Sequence, residues 1–142
     1  MSLTGDHPVR YLVERLAITD QHRDSYTDTD EATEWGACGI AILMILDLTN
    51  YTVVQRAVKN TGFDYWLGDR EDPILQKKAR LEVSGIGIGT EGNIRTRAQR
   101  KHRQTTKSDA LQMEAIVVIV EFSTPAAHME SRMKVNTNDI AK

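Results

Sequence analysis

An α/β domain built around a mixed sheet is what the sequence predicts, on three observations. Two runs, Tyr51–Val58 and Ala115–Ser123, are rich in β-branched residues, and the second is almost continuously apolar, as a strand buried on both faces requires. Two more, Phe63–Gly68 and Ala79–Ile86, sort their side chains onto two faces with a period of two. Segments with helical spacing or helical caps are interspersed with them and complete the pattern.

Pro8 suits the first turn of a helix, where its missing N–H costs no bond. Val9, Leu12, Val13, Leu16 and Ala17 follow at helical spacing and predict a helix over about residues 8–18. "TDQHRDSYTDTD" then reads as a polar, acidic loop. Thr29 or Asp30 caps a second helix, with Glu31 and Glu34 near its positive end. It runs to about Asp47 and is apolar nearly all round, so it is expected to be buried. The strand Tyr51–Val58 leads through the turn Lys59–Gly62 to the strand Phe63–Gly68. "DREDP" interrupts before the strand Ala79–Ile86. A Gly-rich turn, a polar helix over about Asn93–Thr106 and the strand Ala115–Ser123 follow. A short helix is expected after Pro125, and residues 134–142 read as a frayed tail. The expectation is a single domain over residues 1–142, with its core over about 30–123 and the N-terminal helix as an addition.

At 142 residues the chain is long enough for one core and short for two. With 40% hydrophobic and 27% charged residues it falls outside the disordered and fibrous classes. A net charge of −2 gives no global attraction to nucleic acid or membrane, but the charge is unevenly spread. Residues 1–36 carry eight carboxylates against three arginines, whereas residues 93–107 carry six lysines or arginines and no acid. The single cysteine, Cys38, excludes an internal disulfide, and no Cys/His spacing suggests zinc. The longest apolar run, Gly36–Leu46, is too short to span a bilayer and too far along the chain for a signal peptide. An intracellular, cytoplasmic protein with no membrane partner is the expectation, and the opening Met-Ser-Leu is expected to carry no function.

Gly87, Gly89 and Gly92 spell G-x-G-x-x-G between a strand and a helix, the order of a dinucleotide-binding fingerprint. Two features argue against that function. The helix offers only Ile94 and Ala98 to a sheet before Ala110, too little to cover parallel strands. The acid expected about twenty positions on, at the end of the next strand, is poorly placed: Glu114 lies at that distance but precedes the strand, and Glu121 is near the strand's end but later. The glycines read as a turn, and dinucleotide binding is the least favoured alternative.

The strand alternation brings two acids into view. Phe63, Tyr65 and Leu67 oppose Asp64 and Trp66, and Ala79, Leu81 and Val83 oppose Arg80, Glu82 and Ser84. If these strands are neighbours with their apolar faces aligned, Asp64 and Glu82 share the opposite face. Two carboxylates so placed suit Mg²⁺, which takes one or two carboxylates with waters and substrate phosphates. Such an ion activates water and stabilises charge on a phosphodiester. Glu34 offers a third oxygen ligand, or simply complements the helix dipole.

An acid-led helix, a hairpin whose second strand carries Asp64, a third strand carrying Glu82, then a helix and a strand resemble the PD-(D/E)xK, or restriction-endonuclease-like, nuclease superfamily. "NTGFDYWLG" is similar to its G-x-D turn and strand. The resemblance implies a three-layer α-β-β-β-α-β core around a mixed sheet. It implies a catalytic set of Asp64, Glu82, Ser84 and Glu34, with Asp64, Glu82 and Glu34 as ligands of Mg²⁺. The implied activity is metal-dependent phosphodiester hydrolysis, or nucleic-acid binding by a relative that no longer cleaves. The sequence departs from the motif at Ser84, which stands where the superfamily places lysine; serine hydrogen-bonds but brings no positive charge. Some members supply that charge from the following helix, where Arg95, Arg97, Arg100 and Lys101 are available, and Arg80 lies on the strand face of Glu82.

The basic segment, with Arg95, Arg97, Arg100, Lys101 and Arg103 around His102, suits a phosphate backbone. It suits equally a solvated face or a partner for the acidic N-terminal segment. The opposing function is therefore a non-enzymatic interaction protein that binds a partner or a second copy as a homodimer. Asp64 and Glu82 have a plain alternative in cross-strand pairs with Arg56 and Arg80. Trp35, Trp66 and Tyr65 suit base stacking or core filling. His7, His22, His102 and His128 show no spacing that argues for a site, and Cys38, between Ala37 and Gly39, reads as packing.

Overall fold

The computed structural model describes residues 1–14, 17–25 and 28–133. In chain order the elements are β1 (Ser2–Gly5), β2 (Val9–Arg10), α1 (Asp20–Ser25), α2 (Thr29–Leu48), β3 (Tyr51–Arg56), β4 (Tyr65–Asp69), β5 (Ala79–Ile86), α3 (Glu91–Thr105), β6 (Glu114–Glu121) and β7 (Ala126–Arg132). A 3-10 turn over Thr106–Leu111 carries α3 into β6. The strands form one mixed seven-stranded sheet in the order β2-β1-β7-β6-β5-β4-β3. β5 runs parallel to β6 and β1 parallel to β7, and the other neighbours are antiparallel. The protein is thus α/β, and no helix among the described residues is long and apolar enough to cross a membrane.

β6 divides the core between two helices, because successive side chains of a strand point to opposite faces. Ile116, Val118 and Val120 join Leu81 and Val83 of β5 against Ala37, Ala41, Met44 and Ile45 of α2. Val117 and Ile119 meet Ile94 and Ala98 of α3 on the other face. α3 therefore does cover the parallel β5/β6 pair, contrary to the sequence expectation. Two small contacts suffice, because its remaining inward positions meet polar side chains of β5.

Four further expectations are corrected. The helix over residues 8–18 is absent from residues 8–14: Val9 and Arg10 pair with β1, and Tyr11 exchanges hydrogen bonds with Met1. Strand pairing there satisfies the backbone that a helix would otherwise close, and Leu12 is left 89% exposed. Part of the expected acidic loop is the short helix α1, which Thr19 caps by accepting from the His22 N–H. α2 buries one face only, with Leu43 exposed, and Asp28 caps it by accepting from the Asp30 and Glu31 N–H groups. The segment after Pro125 is β7, since the open edge of β6 offers it a full ladder from Ala115↔Arg132 to Glu121↔Ala126. The expected tail, residues 134–142, lies outside the described residues.

Arg80 of β5 is fully buried and spends its guanidinium on the turn after α3 instead of pairing with Asp64 or Glu82. Its Nη1 donates to Thr105 O at 2.9 Å, Ser108 Oγ at 2.7 Å and Asp109 Oδ1 at 3.2 Å, and its Nη2 to Met113 O at 2.6 Å. Arg132 of β7 binds both oxygens of the same Asp109. These bonds clamp the 3-10 turn to the sheet and fix where α3 ends. Arg80→Ala strands several buried acceptors, so urea unfolding is expected to show a loss on the order of 3–5 kcal/mol. A loss within experimental error would show that the clamp does not hold the turn.

Candidate active site

β4 stays paired with β5 as far as Tyr65↔Leu81. Beyond that point the N–H groups of Val83 and Gly85 face the side that β4 has left, and buried amides require acceptors. Carboxylates supply them. Asp64 Oδ2 accepts from Val83 N–H at 2.9 Å, and Glu34 Oε1 accepts from Gly85 N–H at 3.2 Å. Asp64 is itself held by its backbone, whose N–H donates to Leu81 O at 2.9 Å while its carbonyl accepts from Ala57 N–H at 2.8 Å. Glu34 reaches β5 because the first turns of α2 press on Gly85, where a Cβ would lie 2.7 Å from Thr33 O.

Glu82 lies on the α3 side of β5 and is 2% exposed. Its Oε1 accepts from Lys101 Nζ at 2.8 Å and from Gln104 Nε2 at 3.2 Å. Its Oε2 is buried and, among the described residues, receives no donor. Burial, and then the Asp64 carboxylate with which it shares a hydrogen bond when protonated, pushes Glu82 up to about 7 against the pull of Lys101. Ser84 is the next residue on that face, and its Oγ accepts from Arg97 Nη1 at 2.7 Å. Two cations of α3 thus reach β5, one at Ser84 and one at Glu82.

Asp64 lies close enough to Glu82 to act on its carboxyl, Ser84 is next along the strand face, and Glu34 and Asp64 share a pocket also lined by Trp35, Cys38, Arg56 and Tyr65. Among the described residues no group of three or more His, Cys, Asp or Glu side chains is placed to hold a metal ion by itself. Of the basic residues expected on α3, Arg97 and Lys101 turn inward, whereas Arg95, Arg100 and Arg103 are exposed. Arg97 and Lys101 are two of several basic candidates in the sequence, and the signal that separates them from Arg95 and Arg100 is their phase. Ile94, Arg97, Ala98, Lys101 and Thr105 follow the three-and-four spacing of one helix face, and Ile94, Ala98 and Thr105 are buried. Gln104 was missed, and nothing in its local sequence marks it.

The remaining candidates settle into structural roles. Gly89 N–H donates to Glu121 Oε1 at 3.2 Å, and Thr90 and Asn93 cap each other's amides at the start of α3. Side chains therefore hold the amides that a pyrophosphate would need. Glu121 is a buried staple: burial raises its carboxyl, but bonds from the hydroxyls and amides of Ser123 and Thr124 outweigh this and hold it at about 2. Cys38 is half-buried, and burial pushes its thiol up despite a hydrogen bond with Tyr65, which disfavours a nucleophile. Trp66 packs edge-on to Phe63 at 4.8 Å. His102 and His128, unremarkable by spacing, share the two oxygens of Glu130 at 3.1 and 3.0 Å.

No protein-family model matches the chain, and neither a curated protein nor a solved structure matches it.

The Glu82 environment has a signed consequence. A carboxyl raised in the folded state from 4.5 to about 7 contributes stability that is full below 4.5 and lost as pH rises through about 7. Glu82→Gln removes that dependence. Between about pH 5 and 8, urea unfolding is expected to show the wild type losing about 2–3 kcal/mol relative to this variant. A difference that stays constant with pH would show that Glu82 titrates normally.

Proposed function

We propose that the protein is a metal-dependent phosphodiesterase of the nuclease type, with Mg²⁺ held by Asp64 and Glu82. The observation that carries this function is the meeting of those two carboxylates, with Lys101 from the following helix on one of them. The order α2-β3-β4-β5-α3-β6, with β5 and β6 parallel, supports a restriction-endonuclease-like core. β1, β2, β7 and α1 are then additions to it.

The residues present fit the ion. Glu82 Oε2 is a buried acceptor with no donor among the described residues, which a cation would satisfy. Mg²⁺ needs only one or two carboxylates when waters and substrate phosphate complete its shell. Glu34, whose Oε1 accepts from Gly85 N–H and which shares a pocket with Asp64, would hold the ion or one of its waters. Bound there, the ion would lower the pKa of a water and offset charge on the phosphate. Lys101 would then exchange its bond to Glu82 for the charge developing on the phosphate, the role that a motif lysine at position 84 would have had. Arg97, bonded to Ser84 and to Gly85 O, steadies that end of β5. A second function, an interaction protein that pairs with a partner or another copy, is favoured by one observation: Leu12, Val13 and Leu43 are exposed beside a shallow pocket between residues 11–14 and α2.

Calorimetric titration with Mn²⁺ or Mg²⁺ and cleavage of labelled DNA and RNA test the proposal together. The wild type is expected to bind one ion and cleave, and the Asp64→Ala, Glu82→Ala double variant to do neither. Lys101→Ala is expected to keep the ion and lower kcat on the order of 10²–10³-fold, with partial recovery in Lys101→Arg. Ion binding without cleavage would leave a nucleic-acid-binding relative that no longer cleaves. No ion binding that depends on Asp64 and Glu82 would end the metal-centre proposal.

A further inference from the structure

A second polar surface starts at Asp64 and leads away from the carboxylates. It is a groove of about 430 Å³, within the range of ligand-binding clefts, lined among others by Arg56, Lys59, Gln104 and Lys107. Three pieces of chain form it: the end of β3, the turn Lys59–Gly62, and the junction of α3 with the 3-10 turn. Gly62 locks these together. Its φ is +90°, and a Cβ there would lie 2.4 Å from Gln104 O, so only glycine lets the turn lie against the helix. Thr61 Oγ1 closes the turn onto Val58 O at 2.8 Å. The positions of Lys59 and Lys107 are therefore set by packed backbone.

The charge in this groove is unspent. Lys59 and Lys107 are exposed, and among the described residues neither they nor Arg56 take part in an ion pair. Asp64 is the acid in the lining, and it is occupied with Val83 N–H. By contrast, Arg97 and Lys101 are spent on Ser84 and Glu82, and Arg80 and Arg132 on the clamp around Asp109. On the other side of Arg56 stands Trp35, 46% exposed, with the guanidinium 5.3 Å from its ring centre. Arg56 and Asp64 line both the groove and the pocket that holds Trp35, so the two adjoin.

We propose that the groove binds the phosphate backbone of a single nucleic-acid strand, with Arg56, Lys59 and Lys107 on its phosphates and Trp35 stacking on a base. A cationic track beside an exposed aromatic ring is the combination that holds single strands with little sequence preference. The bases of a duplex are already stacked and would leave Trp35 unused. The direction of the strand relative to Asp64 rests on the phosphodiesterase function proposed above; the binding itself does not.

The test uses the full chain in EDTA, where no hydrolysis occurs, and fluorescence anisotropy of short labelled single strands of DNA and RNA over a range of salt. The wild type is expected to bind at least one of them. Lys59→Glu with Lys107→Glu is expected to weaken binding at least about tenfold and to flatten the log–log salt slope by about 1.4, two contacts at about 0.7 each. Both side chains are exposed, so the melting temperature is expected to stay unchanged. Trp35→Ala is expected to weaken binding without altering the salt slope, and Arg95→Ala with Arg103→Ala to leave it intact. The proposal is overturned if the wild type does not bind, if the lysine variant binds like wild type, if a duplex binds more tightly than its single strand, or if polyglutamate competes equally. Binding with no cleavage under Mg²⁺ would retain the groove and count against the hydrolytic function alone.

Discussion

The N–H groups of Val83 and Gly85 must be satisfied where β4 parts from β5, and the candidate site grows from that requirement. Asp64 lies one residue before β4; its backbone N–H still bonds to Leu81 O, and its side chain carries the ladder on to Val83 N–H. Glu34 repeats the device two residues further along, from a helix rather than a strand. Carboxylates used in this way gather at one end of the central strands, and Glu82 adds another from the α3 face. The gathering is costly: a carboxyl as buried as Glu82, beside Asp64, is pushed up to about 7. A cation offsets that cost, and Lys101 supplies one from the chain itself. Under the proposed function a divalent ion supplies a stronger one.

The basic residues near the sheet divide among three tasks, and the division explains how a chain of net charge −2 can still present a cationic track. Arg80 and Arg132 converge on Asp109 and hold the 3-10 turn. That turn fixes the end of α3, and with it the height at which Lys101 meets Glu82. Arg97 and Lys101 serve the strand at Ser84 and Glu82. Arg56, Lys59 and Lys107 line the groove leading from Asp64 and, among the described residues, take part in no ion pair.

What the sequence revealed was local in origin. Alternation with a period of two placed Glu82 opposite Leu81 and Val83 and placed Asp64 opposite Tyr65, so the approach of the two acids was legible once the strands were taken as neighbours. β5 and the buried character of β6 were legible for the same reason. The errors fall where pairing is between distant residues. Ser2–Gly5 becomes a strand only because β7 lies beside it, with Leu3 opposite Ala127. The spacing of Val9, Leu12 and Val13 offered a helix, and that long-range pairing overrode it. The choice of Lys101 depends on how Ile94 and Ala98 seat α3 on β6, a packing relation that only the assembled sheet defines. The shared contact of His102 and His128 with Glu130 joins residues of α3 and β7, so no local spacing announces it.

The central claim is that the interrupted ladder presents Asp64 and Glu82 as the ligands of one divalent ion, with Lys101 as its stand-in. Crystals of the wild-type protein soaked in Mn²⁺, with data collected at the manganese edge, test it most directly. The expected result is an anomalous peak within coordination distance of both carboxylates, with Lys101 Nζ withdrawn from Glu82. An occupied Lys101–Glu82 bond with no peak between Asp64 and Glu82 would contradict it.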